Sequence, residues 1–153
     1  MKWRYASVED AQMLGEMNLR LIQDEKHRNP MTVPQLVERM RGFLSGSYQG
    51  VIFSDDSETL GYALFHPQED FLYLRQFYIE RHRRREGNGR AAMKLLMNEV
   101  FPAEKRLVVT VLTTNPDALA FWRAVGFADY CTSLEILPRI KNPSAAGGLP
   151  SES

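Results

Sequence analysis

Apolar positions along this chain recur at two spacings, and the switches between them mark out its elements. Trp3 to Ala6 reads as a short strand, and Ser7-Val8-Glu9-Asp10 supplies a helix start with acid in the first turn. Ala11, Leu14, Met17, Leu21 and Ile22 then share one helical face, which predicts a first helix running to about Asp24. Asp24 to Pro30 is charged and ends in proline, as a connection does. A second helix opens at Thr32 or Val33, buries Leu36, Val37, Met40, Phe43 and Leu44, and stops at Gly46. Tyr48–Ser54 and Thr59–His66 flank the turn residues 55–58 as a strand pair, and Phe71–Ile79 is a further strand. Helical spacing returns over about Gly89 to Phe101. Leu107 to Thr113 shows no alternation, which predicts the most buried strand of the sheet. Asn115 starts a last helix, Gly126 ends it, and Tyr130 to Leu137 reads as a final strand.

The order βααβββαβαβ predicts a mixed α/β domain over residues 1–140. Residues 141–153 are Pro, Gly, Ser and Ala with little bulk, and are expected to be a disordered tail. A chain of 153 residues is enough for one domain with a real core. Nineteen basic residues balance nineteen acidic ones, so nothing draws the whole molecule to nucleic acid or to an anionic membrane. Any affinity for anions must be local. The apolar runs are far shorter than the roughly 20 residues that span a bilayer. The first residues lack the apolar run of a secretory signal. A single cysteine, Cys131, excludes an internal disulfide and a multi-thiolate metal site, and is expected in the core. Together these features predict a cytoplasmic protein without a metal.

Local anion affinity has an obvious seat. Arg84-Arg85-Glu86-Gly87-Asn88-Gly89-Arg90 joins an apolar strand to a helix start. Backbone N–H groups there point outward, no Cβ blocks approach at the glycines, and the helix dipole adds partial positive charge, which is a phosphate site. The lysine and hydroxyl of a P-loop are missing, and two glycines past the middle of the chain do not make a dinucleotide fingerprint. Arg81, His82, Arg83, Arg84, Arg85 and Arg90 place five arginines and a histidine in ten residues, either a solvated or nucleic-acid-binding run or a local charge that neutralises bound phosphate, and the lack of overall basicity weighs against nucleic acid.

The stretch resembles the pyrophosphate loop of the GNAT superfamily of N-acetyltransferases, Arg/Gln-x-x-Gly-x-Gly/Ala after the fourth strand. Asn115-Pro116-Asp117-Ala118-Leu119-Ala120-Phe121-Trp122-Arg123-Ala124-Val125-Gly126-Phe127 is similar to the later motif of that family, Asn-x-x-Ala-x-x-Phe-Tyr-x-x-x-Gly-Phe. The resemblance spans roughly residues 60 to 137. It implies a central mixed, mostly antiparallel sheet splayed between strands 4 and 5 and flanked by about four helices. It also implies acetyl-CoA as cosubstrate, lying in the splayed cleft. The amides near Arg84, Arg85, Gly87, Asn88, Gly89 and Arg90 would hold its pyrophosphate. The backbone at Phe77 and Ile79 would pair with the pantetheine arm, with Asn115, Phe121 and Trp122 beside it.

Many members carry tyrosine where this chain has Trp122, and an indole N–H is too weak an acid to protonate a leaving thiolate. Tyr78 or Tyr130 are the alternative donors, with Trp122 packing beside the thioester and donating a hydrogen bond there. Where some members place a glutamate base on the fourth strand, counting back from Ile79 gives Tyr73, a phenol of pKa about 10. Glu25, His27, Glu69 and Asp70 lie in segments expected to border the acceptor pocket, together with Tyr73 and Arg75. The reading is acetyl transfer to a primary amine of a small molecule or protein by direct attack in a ternary complex. The alternative is a non-catalytic acyl-CoA-binding module. An exposed final strand could pair with its copy in a homodimer.

Overall fold

The computed structural model describes residues 1–139; the tail expected over 141–153 lies outside the described residues. Five strands form one sheet in chain order: β1 (Lys2–Tyr5), β2 (Gln49–Ser54), β3 (Thr59–Pro67), β4 (Phe71–Ile79) and β5 (Arg106–Val108). Neighbours are antiparallel except β4 and β5, which are parallel. Four helices cover the sheet: α1 (Ala11–Glu25), α2 (Val33–Ser45), α3 (Asn88–Leu95) and α4 (Pro116–Ala124). This is the mixed α/β architecture expected. No helix among the described residues is long and apolar enough to cross a membrane.

Alternation along the strands divides the core between two faces. Ile52, Tyr62, Leu64 and Tyr78 point into the layer of α1 and α2, against Leu14, Met17, Leu21, Val37 and Met40. Val51, Phe53, Ala63, Phe65 and Ile79 point the other way, against Ala92, Met93 and Leu96 from α3 and its continuation. Each fully buried side chain of this size is worth about 1.5–3 kcal/mol. The helix boundaries follow local chemistry. Thr32 caps α2, its hydroxyl accepting from the Gln35 N–H while the Gln35 amide accepts from the Thr32 N–H, and Pro34 sits in the first turn, where its missing N–H costs nothing. Phe101 N–H donates to the Leu96 carbonyl at 2.7 Å, so α3 ends in one wide π-helical turn over Leu96–Val100.

β4 carries a bulge. Its register steps from Leu64↔Gln76 to Phe65↔Leu74, leaving Arg75 as an extra residue. One extra residue reverses which face the strand's side chains take. Ile79 therefore shares the α3 face with Leu72 and Leu74 despite the odd separation, and Arg75 and Gln76 both reach toward α1 and α2.

Three expectations are corrected beyond β4. Leu107 to Thr113 is not the most buried strand: only Arg106–Val108 pairs, and no residue of the run is fully buried. Helices cover one face there, and the outer edge of β5 has no neighbour among the described residues. Tyr130 to Leu137 forms no strand, running without turn or bend and outside the sheet. Cys131 lies on that segment and is exposed rather than in the core.

Candidate active site

Pairing of β4 with β5 covers only Phe71–Tyr73 against Arg106–Val108, after which the two chains part. The opening is a cleft of about 550 Å³. One wall is β4 from Leu74 to Ile79, and the facing wall is Val109 to Leu112 with Asn115, Phe121 and Trp122. The floor is the glycine loop, and the end of α1 closes one side with Leu21, Asp24 and Glu25. A second depression of about 420 Å³ at Tyr5, Leu44 and Tyr48 gathers no carboxylate, histidine or cysteine.

The loop is built to leave its amides open. Gly87 takes φ +80° as the residue before α3, a conformation that disfavours any side chain. Its carbonyl accepts from Ala91 N–H at 2.9 Å, while Arg85, Gly87, Asn88, Gly89 and Arg90 N–H have no internal partner among the described residues. The Asn88 side chain ties the loop to the Arg83 carbonyl at 2.8 Å. At Gly89 a Cβ would lie 3.1 Å from Phe121 Cε1, so α3 approaches α4 closely here.

The arginine cluster divides by task. Arg81 and Arg84 both pair with Asp24. Arg83 reaches Asp55, Glu58 and Glu86 at 2.7, 2.8 and 3.0 Å, and His82 meets Glu58 at 2.9 Å. These four bind the loop to its surroundings rather than waiting for a diphosphate. Arg85 and Arg90 line the cleft and form no ion pair among the described residues, so they are the local positive charge. Arg84 Nε also donates to the Ile79 carbonyl at 2.8 Å. Glu80 N–H is spent on the Leu60 carbonyl of β3 at 2.7 Å, and alternation then turns the main chain of Ile79 and Phe77 toward the cleft.

At the end of α1 two adjacent carboxyls behave oppositely. Burial disfavours the Asp24 anion, but the Arg84 and Arg81 guanidiniums outweigh it and hold Asp24 below the ordinary carboxylate range. Burial, reinforced by the Asp24 charge, pushes Glu25 up to about 7. A folded pKa above the unfolded one means the folded state binds the extra proton between pH 4.5 and 7, so stability is lost as pH rises through that window. Glu25→Gln is therefore expected to stabilise the fold by up to about 3 kcal/mol at pH 8. The gain should vanish near pH 4, as denaturant titrations at the two pH values would show.

Of the residues singled out from sequence, Glu25, Arg75, Phe77, Tyr78, Ile79, Arg84, Arg85, Gly87, Asn88, Gly89, Arg90, Asn115, Phe121 and Trp122 meet at this one cleft. Asn115 caps α4, accepting from Ala118 N–H at 3.2 Å. Arg75 donates to the Tyr48 hydroxyl at 3.2 Å. The Tyr78 phenol donates to Glu80 at 3.2 Å and accepts from Arg20 at 3.3 Å. Burial, only partly offset by Arg20, raises its pKa. That hydroxyl is committed to the Arg20–Glu80 pair rather than to the cleft.

Others do not arrive. Tyr130 is 79% exposed, its ring lying over Arg106, and does not line the cleft. Tyr73 sits in the paired part of β4 opposite Val108, because the count back from Ile79 crosses the bulge. His27 accepts from Asn29 N–H outside the lining, and Glu69 and Asp70 lie in the turn before β4, at its far end. Sequence reading missed Asp24 as the anchor of the arginines. The signal was present: Asp24 and Glu25 continue the stripe of Leu14, Met17 and Leu21 at helical spacing, so acid falls where apolar burial was due.

Trp122 packs edge-on against Phe77, Phe121 and Phe127 at 5.4, 5.0 and 5.2 Å between centroids. Among the described residues its indole N–H has no hydrogen-bond partner. Trp122→Phe is expected to cost less than about tenfold in turnover, or about 1.4 kcal/mol. A loss above a hundredfold in steady-state rates would assign the indole N–H a part in the chemistry.

Comparison with solved structures places this arrangement among known folds. A possible acetyltransferase from Clostridium difficile is 13% identical with a TM-score of 0.75, over 91% of this chain and 97% of that one. A predicted acetyltransferase with acetyl-CoA from Clostridium acetobutylicum is 17% identical with a TM-score of 0.68, over 88% and 94%. An aminoglycoside 6′-N-acetyltransferase from Acinetobacter haemolyticus is 13% identical with a TM-score of 0.71, over 92% and 100%. Among proteins of curated function none matches this sequence. The sequence profile of the acetyltransferase (GNAT) family matches residues 17–127, from α1 through the glycine loop to the end of the Asn115 motif, and the chain belongs to that family.

Proposed function

We propose that the protein transfers an acetyl group from acetyl-CoA to a primary amine by direct attack in a ternary complex. The observation that carries this is the meeting, in one cleft, of open loop amides with Arg85 and Arg90 and of a carboxyl poised near neutrality, Glu25. The amides and the two cations fit a diphosphate. The main chain of Phe77 and the N–H of Ile79, turned toward the cleft, fit an extended amide-bearing arm, which pairs as an added strand would, while the Ile79 carbonyl is held by Arg84. A main-chain N–H near Phe77 polarises the thioester carbonyl. Holding both substrates in one opening supplies much of the acceleration.

Glu25 takes the proton from the acceptor ammonium, leaving a neutral amine to attack. A carboxylate whose pKa lies near 7 is matched to that task at neutral pH. This poise favours an enzyme over a module that only binds acyl-CoA. With Tyr78 committed to Arg20 and Glu80, the departing thiolate takes, relayed through water, the proton that the attacking nitrogen sheds as the tetrahedral intermediate collapses to the amide. Arg75 and the end of α1 shape the acceptor side, and the acceptor is a small-molecule or protein amine. Calorimetry with CoA followed by thiol release from acetyl-CoA over a panel of amines tests the reading. Micromolar binding with amine-dependent release is expected; absence of CoA binding would overturn it.

A further inference from the structure

Inside the layer that α1 and α2 form on the sheet stands a half-buried cation, Arg39 of α2, that pairs with no carboxylate among the described residues. Its Nη2 donates to Asn18 Oδ1 at 3.0 Å. Gln76 Nε2 donates to the same oxygen at 3.4 Å, and the Tyr62 hydroxyl donates to Gln76 Oε1 at 2.8 Å. Asn18 is 0% and Gln76 2% exposed, so the chain of bonds behind Arg39 is shut off from water. Because a guanidinium can only donate, the Asn18 amide must turn its oxygen to Arg39. Asn18 Nδ2 and Arg39 Nε are then buried donors without an acceptor among the described residues. Such groups cost free energy until something negative meets them.

Arg75, at the β4 bulge, adds a second guanidinium. Arg39 and Arg75 both lie over the Phe43 ring, at 5.5 and 5.0 Å from its centroid, and Arg75 is 5.8 Å from that of Tyr48. The rings offset part of the cost of bringing like charges together. Burial first, and then the charge of Arg75, still lower the Arg39 pKa to about 10. Arg75 lines the cleft that also holds Glu25, and Arg39 stands behind it without lining the cleft. An anion arriving at Arg75 would therefore be met by two positive charges, and the planar guanidinium fork matches the two oxygens of a carboxylate.

Resting on the acetyl-transfer reading above, we propose that the acceptor is a small amino carboxylate, its carboxylate held by Arg75 with Arg39 as the charge behind, and its amine turned to Glu25. Arg75 selects the substrate. Arg39 is a positioning residue, held in place by Asn18, Gln76 and Tyr62, and acts through Arg75. A simple amine, itself a cation, meets repulsion at the same place, so the pair also discriminates against acceptors that lack the acid.

Two measurements on the full chain keep this proposal apart from the reading it rests on. Calorimetry with CoA reads the coenzyme site alone. Thiol release from acetyl-CoA is then followed with α-, β- and γ-amino acids, each beside its own carboxamide. The best amino acid is expected to exceed its carboxamide about a hundredfold in kcat/KM. In Arg75→Gln that ratio is expected to fall to near one, and in Arg39→Met by about tenfold, in both cases through KM rather than kcat. Arg39→Lys, which keeps the charge, should restore most of the preference, and CoA affinity in each variant reports that the fold survives. If CoA binds but amino acids are acetylated no faster than their carboxamides, or not at all, this proposal is overturned alone. A preference that persists in both Arg75→Gln and Arg39→Met overturns it too. Failure of the unaltered protein to bind CoA removes the acetyl-transfer reading and this inference with it.

Discussion

Replacing Gly89 by glutamate is expected to weaken CoA binding at least a hundredfold, about 2.7 kcal/mol, with the fold retained. Two effects act together. The new carboxylate stands among the amides and beside the cations that would meet a diphosphate, exchanging attraction for repulsion. Its Cβ also lies 3.1 Å from Phe121 Cε1, so the ring must yield by a few tenths of an ångström. Gly89→Ala separates the two, keeping the steric demand and adding no charge. It is expected to retain affinity within about tenfold, roughly 1.4 kcal/mol. Calorimetry on both variants reads the difference, and undiminished affinity in Gly89→Glu would remove the loop from the coenzyme site.

Glu25→Gln is expected to lower kcat/KM at pH 7 by about 10²–10³ while leaving CoA affinity unchanged. The sign of the pH dependence follows from the base being the ionised form. Activity of the unaltered enzyme should rise as pH passes upward through about 7, where Glu25 loses its proton. The glutamine variant should lose that step and keep only the titration of the free amine. An unchanged profile in Glu25→Gln would place proton removal in solvent and leave Glu25 to bind the cationic acceptor. Because the same substitution is expected to stabilise the fold at high pH, a rate loss could not be ascribed to unfolding.

The parts of this protein legible in its sequence were those governed by neighbouring residues. Thr32 with Gln35, the Asn115-Pro116 start and the paired glycines each announce a local geometry, and the helices and loop stand where those residues put them. The glycine loop could be read as an anion site because open amides at a helix start need no tertiary partner to explain them. What depended on contacts across the fold was hidden. A charge run cannot say which of its arginines will find Asp24, Asp55 or Glu58, so the division between structural and free cations came only with the packing. The bulge at Arg75 shifted the parity of β4, and the counted position for a base fell on Tyr73, on the wrong side of it. The unbroken apolar run after Arg106 placed a strand correctly at its start but overstated its length and its burial, since both need a neighbour that these residues do not contain.

Asp24 has a role larger than neutralising two arginines. One carboxylate holds the last turn of α1 to Arg81 and to Arg84, and Arg84 in turn holds the carbonyl of Ile79. On the reading proposed above, the acceptor side and the coenzyme side of the opening therefore share this fastening. Occupancy on one side is then expected to be felt on the other, and linkage requires the influence to be equal in both directions. The two ligands should raise or lower each other's affinity by one common factor, which Asp24→Asn would bring toward unity in paired titrations. Substrate order in this enzyme would then be a matter of which ligand tightens the knot first.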